Sequence, residues 1–234
     1  MKRISLIIPC YNEAENIPQL IKRCEELAAQ VENIEVVLVD NGSTDNTLRV
    51  LENLASSLSF IRVVRVEINQ GYGHGILSGL RVADGEILGW THADMQTDPV
   101  DLLKGVNYFK GAKNLERKFV KGKRYGRPIA DVFFTMGMAI FETLLLRRWM
   151  WDINAQPTMF HREFFLSWEN PPEDFSLDLY AYYMAKKRGL KIYRFPVLFG
   201  ERAHGISHWN VGFASKYKFI KRTLIYSFNL QRRV

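Results

Sequence analysis

The first half of the chain alternates short β-branched runs with segments of helical periodicity, and this alternation constrains the fold most strongly. Runs typical of buried strands cover Ile4–Pro9, Ile34–Asp40, Ile61–Val66 and Glu86–Trp90. Between them, apolar residues recur every three or four positions, as in amphipathic helices. The alternation predicts an α/β fold: a mostly parallel sheet with helices on both faces, and a ligand site beyond the carboxyl ends of the strands.

Charge is distributed unevenly along the 234 residues. Residues 1–117 contain 12 basic and 16 acidic side chains, whereas residues 118–234 contain 20 and 9. The basic second half predicts an anionic partner. Because it contains no recognisable base-reading module, we expect phosphorylated small molecules or anionic lipid rather than nucleic acid. Cys10 and Cys24 lack metal-ligand spacing, which favours reduced structural thiols.

Polar clusters follow three of the predicted strands. The second strand ends at Asp40, and a carboxylate there is costly to bury without a donor, which the base or ribose of a nucleotide would supply. Ser43 or Thr44 is expected to cap the next helix, with Asp45 adding negative charge to its first turn. The loop at Gly71, NQGYGHG, either cradles phosphate or forms a turn, and its spacing disfavours a dinucleotide fold.

The fourth strand runs into the stretch WTHADMQTDP. If the backbone stays extended, His92, Asp94 and Gln96 share one face and can converge on one divalent cation, with Asp94 as the main ligand. Histidine is a softer donor than carboxylate, which favours Mn²⁺ over Mg²⁺. Alternatively, His92 contacts phosphate or a donor sugar. Asp98 is expected to cap the helix that begins at Pro99.

Several linked motifs resemble the family 2 inverting glycosyltransferases, especially the dolichol-phosphate-mannose-synthase-like branch. They are IIPCYNE, VDNGSTDNT, NQGYGHG leading into GLRVADGEILGWTHADMQ, and ERAHGIS, and they span nearly the whole chain in order. The resemblance implies the A-type glycosyltransferase fold, a nucleoside-diphosphate sugar and a divalent metal, Mn²⁺ or Mg²⁺. It assigns Pro9, Tyr11 and Glu13 to the nucleoside and Asp40 to the base. Asp94 and Gln96 match the family's metal site, in which His92 replaces the first acid.

The resemblance extends into the second half. Arg124 matches the family's G-x-R segment, and Arg124 and Arg127 are predicted to bind the phosphate of an acceptor. Lys121 and Lys123 are expected to be solvated. Asp178 lies in an apolar helical pattern and is predicted to orient the acceptor or to accept a proton from an attacking hydroxyl.

Two further segments resemble the family only in part. Arg202 and Ser207 match an R-x-x-G-x-S loop that closes over the diphosphate, with His208 where a lysine often follows. Asn154 and Gln156 stand where the family motif differs, and they either offer amides to sugar hydroxyls or belong to an ordinary loop.

Two segments bear on membranes. Val132–Leu146 is predicted to be too short and, at Glu142, too charged to span a bilayer. Residues 211–234 are predicted to form a basic amphipathic helix that lies on an anionic leaflet, packs on the core or makes an oligomer contact. Residues 1–210 are expected to be one domain, with a nucleotide-sugar half (1–117) and an acceptor half (118–210). The amino terminus does not resemble a signal peptide, so we expect a cytoplasmic protein, peripheral on the membrane if the helix binds it.

These features predict an inverting hexosyltransferase of cell-surface glycan synthesis. It would move sugar from a nucleoside-diphosphate sugar, with uridine favoured and GDP-mannose next, to a polyprenyl phosphate or lipid-linked glycan. A phosphate acceptor needs no strong base, whereas a hydroxyl acceptor of a polysaccharide would need Asp178 as the base. Two alternatives are a non-catalytic sugar-nucleotide-binding protein and a membrane-surface or nucleic-acid-binding module.

Overall fold

The computed structural model describes residues 3–204 and 213–232. Within these ranges the chain forms seven strands and eight α-helices. The strands are β1 (Ile4–Cys10), β2 (Ile34–Asn41), β3 (Ile61–Val66), β4 (Ile87–Trp90), β5 (Lys118–Tyr125), β6 (Thr158–His161) and β7 (Lys191–Leu198). The helices are α1 (Ile17–Ala28), α2 (Thr47–Ala55), α3 (Tyr72–Val82), α4 (Leu102–Val106), α5 (Ile129–Leu146), α6 (Arg162–Leu166), α7 (Leu177–Lys187) and α8 (Phe213–Arg232).

The strands form one sheet in the order β3-β2-β1-β4-β6-β5-β7. Strands β1 to β4 pair in parallel, and so do β5 and β7. Strand β6 runs antiparallel to its neighbours β4 and β5. The predicted mostly parallel sheet is therefore confirmed, and it takes strands from both the 1–117 and the 118–210 segments.

Helices cover both faces of the sheet, as predicted. Along β1, side chains alternate between two cores because successive residues of a strand point to opposite faces. Leu6 and Ile8 join the core that contains α1, whereas Ile7 joins the core formed with α3 and α7. Cys10 and Cys24 are buried free thiols in the first of these cores.

Helix α3 begins within the NQGYGHG stretch rather than after it. Gly71, with φ of 121°, precedes the helix, and Gly73 and Gly75 lie in its first turns. A Cβ atom on Gly73 would lie 2.7 Å from the backbone oxygen of Asp174, and one on Gly71 would lie 2.6 Å from that of Glu173. These glycines therefore allow the 172–174 segment to pack closely against α3, which favours a packing role for this loop over a phosphate cradle.

Helix capping follows the sequence prediction in one place and departs from it in another. Asp98 accepts a hydrogen bond from the Val100 amide at 2.9 Å, so the predicted cap is confirmed. At α2, however, Asp45 accepts from the Thr47 amide at 2.9 Å. Ser43 and Thr44 instead contact the loop after β1, so the prediction that one of them caps α2 is wrong.

Helix α5 differs from the expectation for Val132–Leu146. It starts at Ile129 and has 18 residues, and it is the one helix in the described ranges that is long and apolar enough to cross a membrane. The prediction that this segment is too short and too charged to span a bilayer is therefore wrong, as judged by the length and composition of the helix. Helix α8 packs against it through Phe141 and Phe228, whose ring centroids lie 6.1 Å apart.

Candidate active site

Three strand ends lie side by side at one edge of the sheet. Cys10 on β1 pairs with Asp40 on β2, and Ile7 pairs with Trp90 on β4. The loops that follow β1 and β2 are joined by hydrogen bonds, since the Asn12 amide donates to Ser43 Oγ at 3.1 Å. This parallel arrangement places the polar clusters of the sequence together at the carboxyl ends of the strands.

Arg202 joins two of these strand ends. Its Nη2 donates to Asp94 Oδ2 at 2.8 Å, and its Nη1 lies 3.8 Å from Glu13 Oε1. Its buried Nε has no hydrogen-bond partner. Burial raises the pKa of Glu13, and the Asp94 carboxylate adds to this rise while Asn16 opposes it. Two carboxylates and one guanidinium therefore converge where a parallel sheet places its ligand.

Gln96 holds the loop that carries Arg202. Its side-chain Nε2 donates to Gly200 O at 3.3 Å, and its backbone oxygen accepts from the Gly200 amide at 2.8 Å. The Gln96 amide in turn donates to Asp94 Oδ1 at 3.1 Å. The side chain predicted to be a metal ligand thus lies against the backbone of residue 200 and fixes this loop beside Asp94.

The premise behind the predicted metal triad is wrong. Met95 has φ of 60°, so the backbone between positions 92 and 96 is not extended. His92 turns to Tyr72, with ring centroids 5.4 Å apart, and Tyr72 stacks in turn on Phe175 at 4.7 Å. In residues 3–204 and 213–232, no group of three His, Cys, Asp or Glu side chains could hold a metal ion.

The carboxylates of Asp94 and Glu13 nevertheless fit a divalent ion that they would share with a bound ligand. The positive charge of Arg202 lies between the oxygens of Asp94 and Glu13, which is where a cation would be attracted. Mg²⁺ and similar ions are often held by one or two carboxylates together with substrate phosphates. Asp94 would be the first such carboxylate and Glu13 the second.

The nucleoside-binding residues predicted from the motif occupy the outer end of β1 and β2. Tyr11 is exposed just beyond β1, and Pro9 is half-buried in it. Asp40 is buried, but its Oδ1 accepts from the Ser43 amide at 3.1 Å. A local turn therefore supplies a donor, so the burial of this carboxylate does not by itself require a nucleotide. Ser207 and His208 lie outside the described residues.

Arg124 is largely committed to Asp152. Its Nε and Nη2 both donate to Asp152 Oδ1, at 2.8 and 2.6 Å. Burial acts to raise the pKa of Asp152, but the charge and hydrogen bonds of Arg124, together with the charge of Arg194, lower it overall. Only part of the Arg124 guanidinium thus remains available to donate to a phosphate. Arg127 donates from Nη1 to Thr135 at 2.9 Å, and its buried Nε has no hydrogen-bond partner.

A buried polar network surrounds Asp178. Its Oδ1 accepts from Gln156 Nε2 at 2.5 Å and from Trp90 Nε1 at 3.2 Å. Lys121 Nζ lies 3.8 Å from the same oxygen and donates to Ala155 O at 2.6 Å. The prediction that Lys121 is solvated is wrong, because its side chain is 0% exposed. Burial lowers the pKa of Lys121 to about 7.

Sequence reasoning missed this role of Lys121, although a signal was present. Residues 119, 121 and 123 are every second residue of β5, and Phe119 belongs to the core that contains α7. A strand of period two would place Lys121 on the same face as Phe119 and beneath Asp178. The polar sequence KGKR does not indicate this alternation, because lysine is rarely buried unless it is paired and is therefore expected to be exposed.

The sheet and the polar cluster at its strand ends are those of an α/β protein whose candidate site lies at the carboxyl ends of parallel strands. The chain belongs to glycosyl transferase family 2, whose model matches residues 5–172. This confirms the family that the motifs predict.

The curated relatives match the chain over part of their length. The undecaprenyl-phosphate 4-deoxy-4-formamido-L-arabinose transferase of Proteus mirabilis is 35% identical over 105 residues, which cover 44% of this chain and 32% of that protein. The protein of the same name from Pseudomonas fluorescens is also 35% identical, over 42% of this chain and 30% of the relative. The match thus spans about a third of each relative.

Solved structures share the fold over the whole chain. A mannosyltransferase from Pyrobaculum calidifontis, in complex with GDP-Man and Mn²⁺, superposes with a TM-score of 0.72 at 21% identity, covering 100% of this chain and 65% of that one. Glucosyl-3-phosphoglycerate synthase from Mycobacterium tuberculosis, in complex with Mn²⁺, UDP and glucosyl-3-phosphoglycerate, gives a TM-score of 0.69 at 20% identity, covering 98% of this chain and 80% of that one. At these identities the likeness concerns the fold, and the predicted A-type fold is confirmed.

Proposed function

We propose that this protein is an inverting glycosyltransferase that moves a sugar from a nucleoside-diphosphate sugar to a polyprenyl phosphate. The observation that carries the proposal is the convergence of Glu13, Asp94 and Arg202 at the carboxyl ends of β1 and β4. The names of the curated relatives, which transfer a sugar to undecaprenyl phosphate, support the acceptor class. Such a reaction would contribute to cell-surface glycan synthesis on the cytoplasmic face of a membrane.

The donor would lie across the ends of β1 and β2. Tyr11 offers an exposed ring to the base and directly follows Cys10, which pairs with Asp40, while Pro9 and Glu13 lie two positions to either side of it in the chain. Arg202 would contact the diphosphate, because a guanidinium presents a planar fork of donors that suits phosphate oxygens. Solved neighbours are complexes with UDP and with GDP-Man, so uridine and guanosine are the bases to test first.

Asp94, with Glu13 as the second carboxylate, would hold a divalent ion, and Mn²⁺ is the ion found in the neighbouring structures. When bound, such an ion neutralises negative charge on the leaving diphosphate. Arg202 would then exchange its contact with Asp94 for a contact with phosphate. His92 and Gln96, which lie against Tyr72 and Gly200, would remain outside the coordination sphere.

The acceptor phosphate would bind near Arg127. The unpartnered Nε of this residue is a buried donor that an anion would satisfy, and Arg124 lies beside it. A phosphate oxygen is already anionic at neutral pH, so no strong base is needed for its attack. Arg124 would mainly position this site, since its Nε and Nη2 are held by Asp152.

Calorimetric titration of UDP and GDP, each with and without Mn²⁺, tests the donor site. We expect one nucleotide to bind, and Asp94→Asn to abolish the enhancement by Mn²⁺. The matched control is Asp101→Asn, a carboxylate change on the 3₁₀ turn after Asp98. Equal enhancement in the Asp94 variant would refute the assignment of the metal site.

Transfer is then measured with the radiolabelled sugar of the preferred nucleotide and undecaprenyl phosphate. We expect labelled lipid with the wild type, and about a hundredfold less with Arg202→Ala, because charge stabilisation of this kind contributes several kcal/mol. Binding of the donor without transfer or hydrolysis would favour a non-catalytic sugar-nucleotide-binding protein instead.

A hydroxyl acceptor is the second candidate, and the network at Asp178 favours it. The carboxylate is held by Trp90 and Gln156 at the amino end of α7, as a positioned base would be. Asp178→Asn separates the two candidates. Retained transfer to undecaprenyl phosphate counts against a base role for Asp178, whereas wild-type transfer to a lipid-linked glycan that Asp178→Asn loses, with donor binding retained, supports the base.

A further inference from the structure

Helix α5 exposes a continuous row of large apolar side chains. Ile129, Phe133, Ile140 and Leu144 are 75%, 62%, 52% and 73% exposed. Their separations of four, seven and four residues place them on one face of a helix. Exposed apolar surface of this extent is uncommon on a monomeric soluble protein and marks an interaction site. Only Ala139, Glu142 and Leu146 of this helix are buried.

The carboxyl end of α5 adds an aromatic and a basic group to this row. Trp149 is 66% exposed and stacks on Trp151, with ring centroids 6.2 Å apart. The two rings and Leu144 border an apolar hollow of about 190 Å³. Trp149 also borders a second hollow of about 300 Å³, which is lined by Arg147, Arg148 and Lys186. An apolar recess thus adjoins a cationic one.

The segments that flank α5 belong to the domain, although the length and composition of the helix would suit a membrane span. At its start, Arg127 donates to Thr135. At its end, the Met150 amide donates to Thr143 Oγ1 at 2.9 Å, and the Met150 side chain is fully buried. The chain on both sides of α5 is therefore held by the domain, because Met150 lies in the core and β5 and β6, the strands before and after α5, are neighbours in one sheet.

We propose that the exposed row of α5 and the following turn, Arg147–Trp149, dock on the surface of an anionic lipid bilayer. This surface is called the α5 face below. Its apolar row would enter the boundary between headgroups and acyl chains, as interfacial helices do. Trp149 would lie at headgroup depth, and Arg147 and Arg148 would contact lipid phosphates. The acids of α5 do not oppose this, because Glu142 is buried and Asp131 is half-buried.

Charge complementarity selects a bilayer rather than a neutral apolar partner. The apolar row ends in two exposed arginines, and the 118–234 segment has 20 basic against 9 acidic residues. The inference rests on the proposed function in one respect: a polyprenyl phosphate is itself in a membrane. Arg124 and Arg127 immediately precede α5, so docking of the α5 face would bring them to the depth of the acceptor phosphate.

Vesicle flotation tests the proposal. The probes are vesicles of phosphatidylcholine alone and vesicles that also contain phosphatidylglycerol. We expect the wild type to float with the anionic vesicles, and Phe133→Ser with Leu144→Ser to weaken this by at least about tenfold. Arg147→Gln with Arg148→Gln should weaken it by about thirtyfold, since each basic residue contributes a factor of roughly five. The control is Leu54→Ser, the same kind of change at an exposed apolar residue of α2.

Three results would overturn the proposal, and the first two are failure of the wild type to bind anionic vesicles and equal binding by the Phe133 and Leu144 variant. A wild-type dimer in sedimentation velocity that this variant dissociates would also overturn it, and would assign the face to a second copy. Nucleotide titration of the same variants separates the two inferences. Vesicle binding without nucleotide binding would refute the proposed function but not the docking surface. Nucleotide binding without vesicle binding would refute the docking surface but not the proposed function.

Discussion

Lys121 and Lys123 lie two positions apart on β5 yet have different surroundings. Lys123 is exposed, whereas Lys121 is buried among Asp178, Asp152, Arg124 and Arg194. Desolvation of Lys121 is the largest influence on its pKa, and the Asp178 carboxylate offsets only part of it. Lys121 therefore destabilises the fold when it is protonated, while it helps to hold the Asp178 carboxylate in place.

The pKa of Lys121 makes stability dependent on pH. Its value of about 7 in the folded chain lies below the ordinary 10.5, so the unfolded chain binds the proton more tightly between these values. The free energy of unfolding should therefore rise from about pH 7 to pH 10, by up to about 1.4 kcal/mol per pH unit. Lys121→Met should lack this rise in urea unfolding. Lys123→Met is the control, and equal slopes in the two variants would contradict the burial of Lys121.

Single residues show where sequence reasoning reaches its limit. The motifs identified Glu13, Asp94 and Arg202, and the structure brings all three together. The motifs could not indicate that Met95 turns the backbone or that His92 stacks on Tyr72. Those outcomes depend on contacts between segments distant in sequence, whereas a motif records only residue types and their spacing.

At the scale of elements, Gly73 of α3 and Gly137 of α5 are both helical glycines, but different atoms surround them. A Cβ on Gly73 would meet backbone atoms of residues 172–174, whereas one on Gly137 would meet nothing within 4 Å. Gly73→Ala should lower the free energy of unfolding by about 2 kcal/mol, as forced overpacking does. Gly137→Ala should raise it by up to about 1 kcal/mol, because alanine favours helix. Thermal and urea unfolding check both signs, and destabilisation by Gly137→Ala would contradict the open face of α5.

The pairing of α5 with α8 depends on the buried Glu142. Ser227 Oγ donates to Glu142 Oε1 at 2.5 Å, while Oε2 has no partner. Burial raises the pKa of this carboxyl from 4.5 to about 7, and the Ser227 bond only partly opposes the rise. The folded chain thus binds the proton more tightly than the unfolded chain between these values.

The free energy of unfolding should consequently fall as pH rises from about 4.5 to 7, by up to about 1.4 kcal/mol per pH unit. Glu142→Gln should remove this fall and should exceed the wild type in stability at pH 8. The measurement is urea unfolding across this pH range, with Glu116→Gln as the exposed control. If both variants keep the wild-type slope, Glu142 is ionised in the folded chain and the inferred protonation is wrong.

Elements differ in how well their sequence predicts them. Strands β1 to β4 follow the predicted bounds closely, and helices lie between them as the periodicity predicts, because buried apolar runs and amphipathic spacing are local signals. Strand β6 pairs antiparallel between β4 and β5, which are separated from it by long stretches of chain. Such pairing leaves no periodic trace in a four-residue strand, and the strand was not predicted.

At the scale of the molecule, the site depends on contacts between the 1–117 and 118–210 segments. Asp94 and Glu13 belong to the first, and Arg202 belongs to the second. Gln96 links them through Gly200, and Asn16 Nδ2 donates to His204 O at 3.3 Å. The sheet is continuous across both segments, so the strand ends are fixed while the 199–204 loop depends on these few hydrogen bonds.

Gln96→Leu distinguishes a tether from a metal ligand. As a tether, Gln96 places Arg202 near the diphosphate, so its loss should weaken binding of the preferred nucleoside diphosphate by about fivefold, the value of one hydrogen bond. The weakening should be equal with and without Mn²⁺, because the side chain lies against Gly200 O rather than beside Asp94. Calorimetric titration measures both constants, with Gln19→Leu on the exposed side of α1 as the control. Weakening confined to the Mn²⁺ titration would instead make Gln96 a ligand, and Asp94 would then share the ion with it.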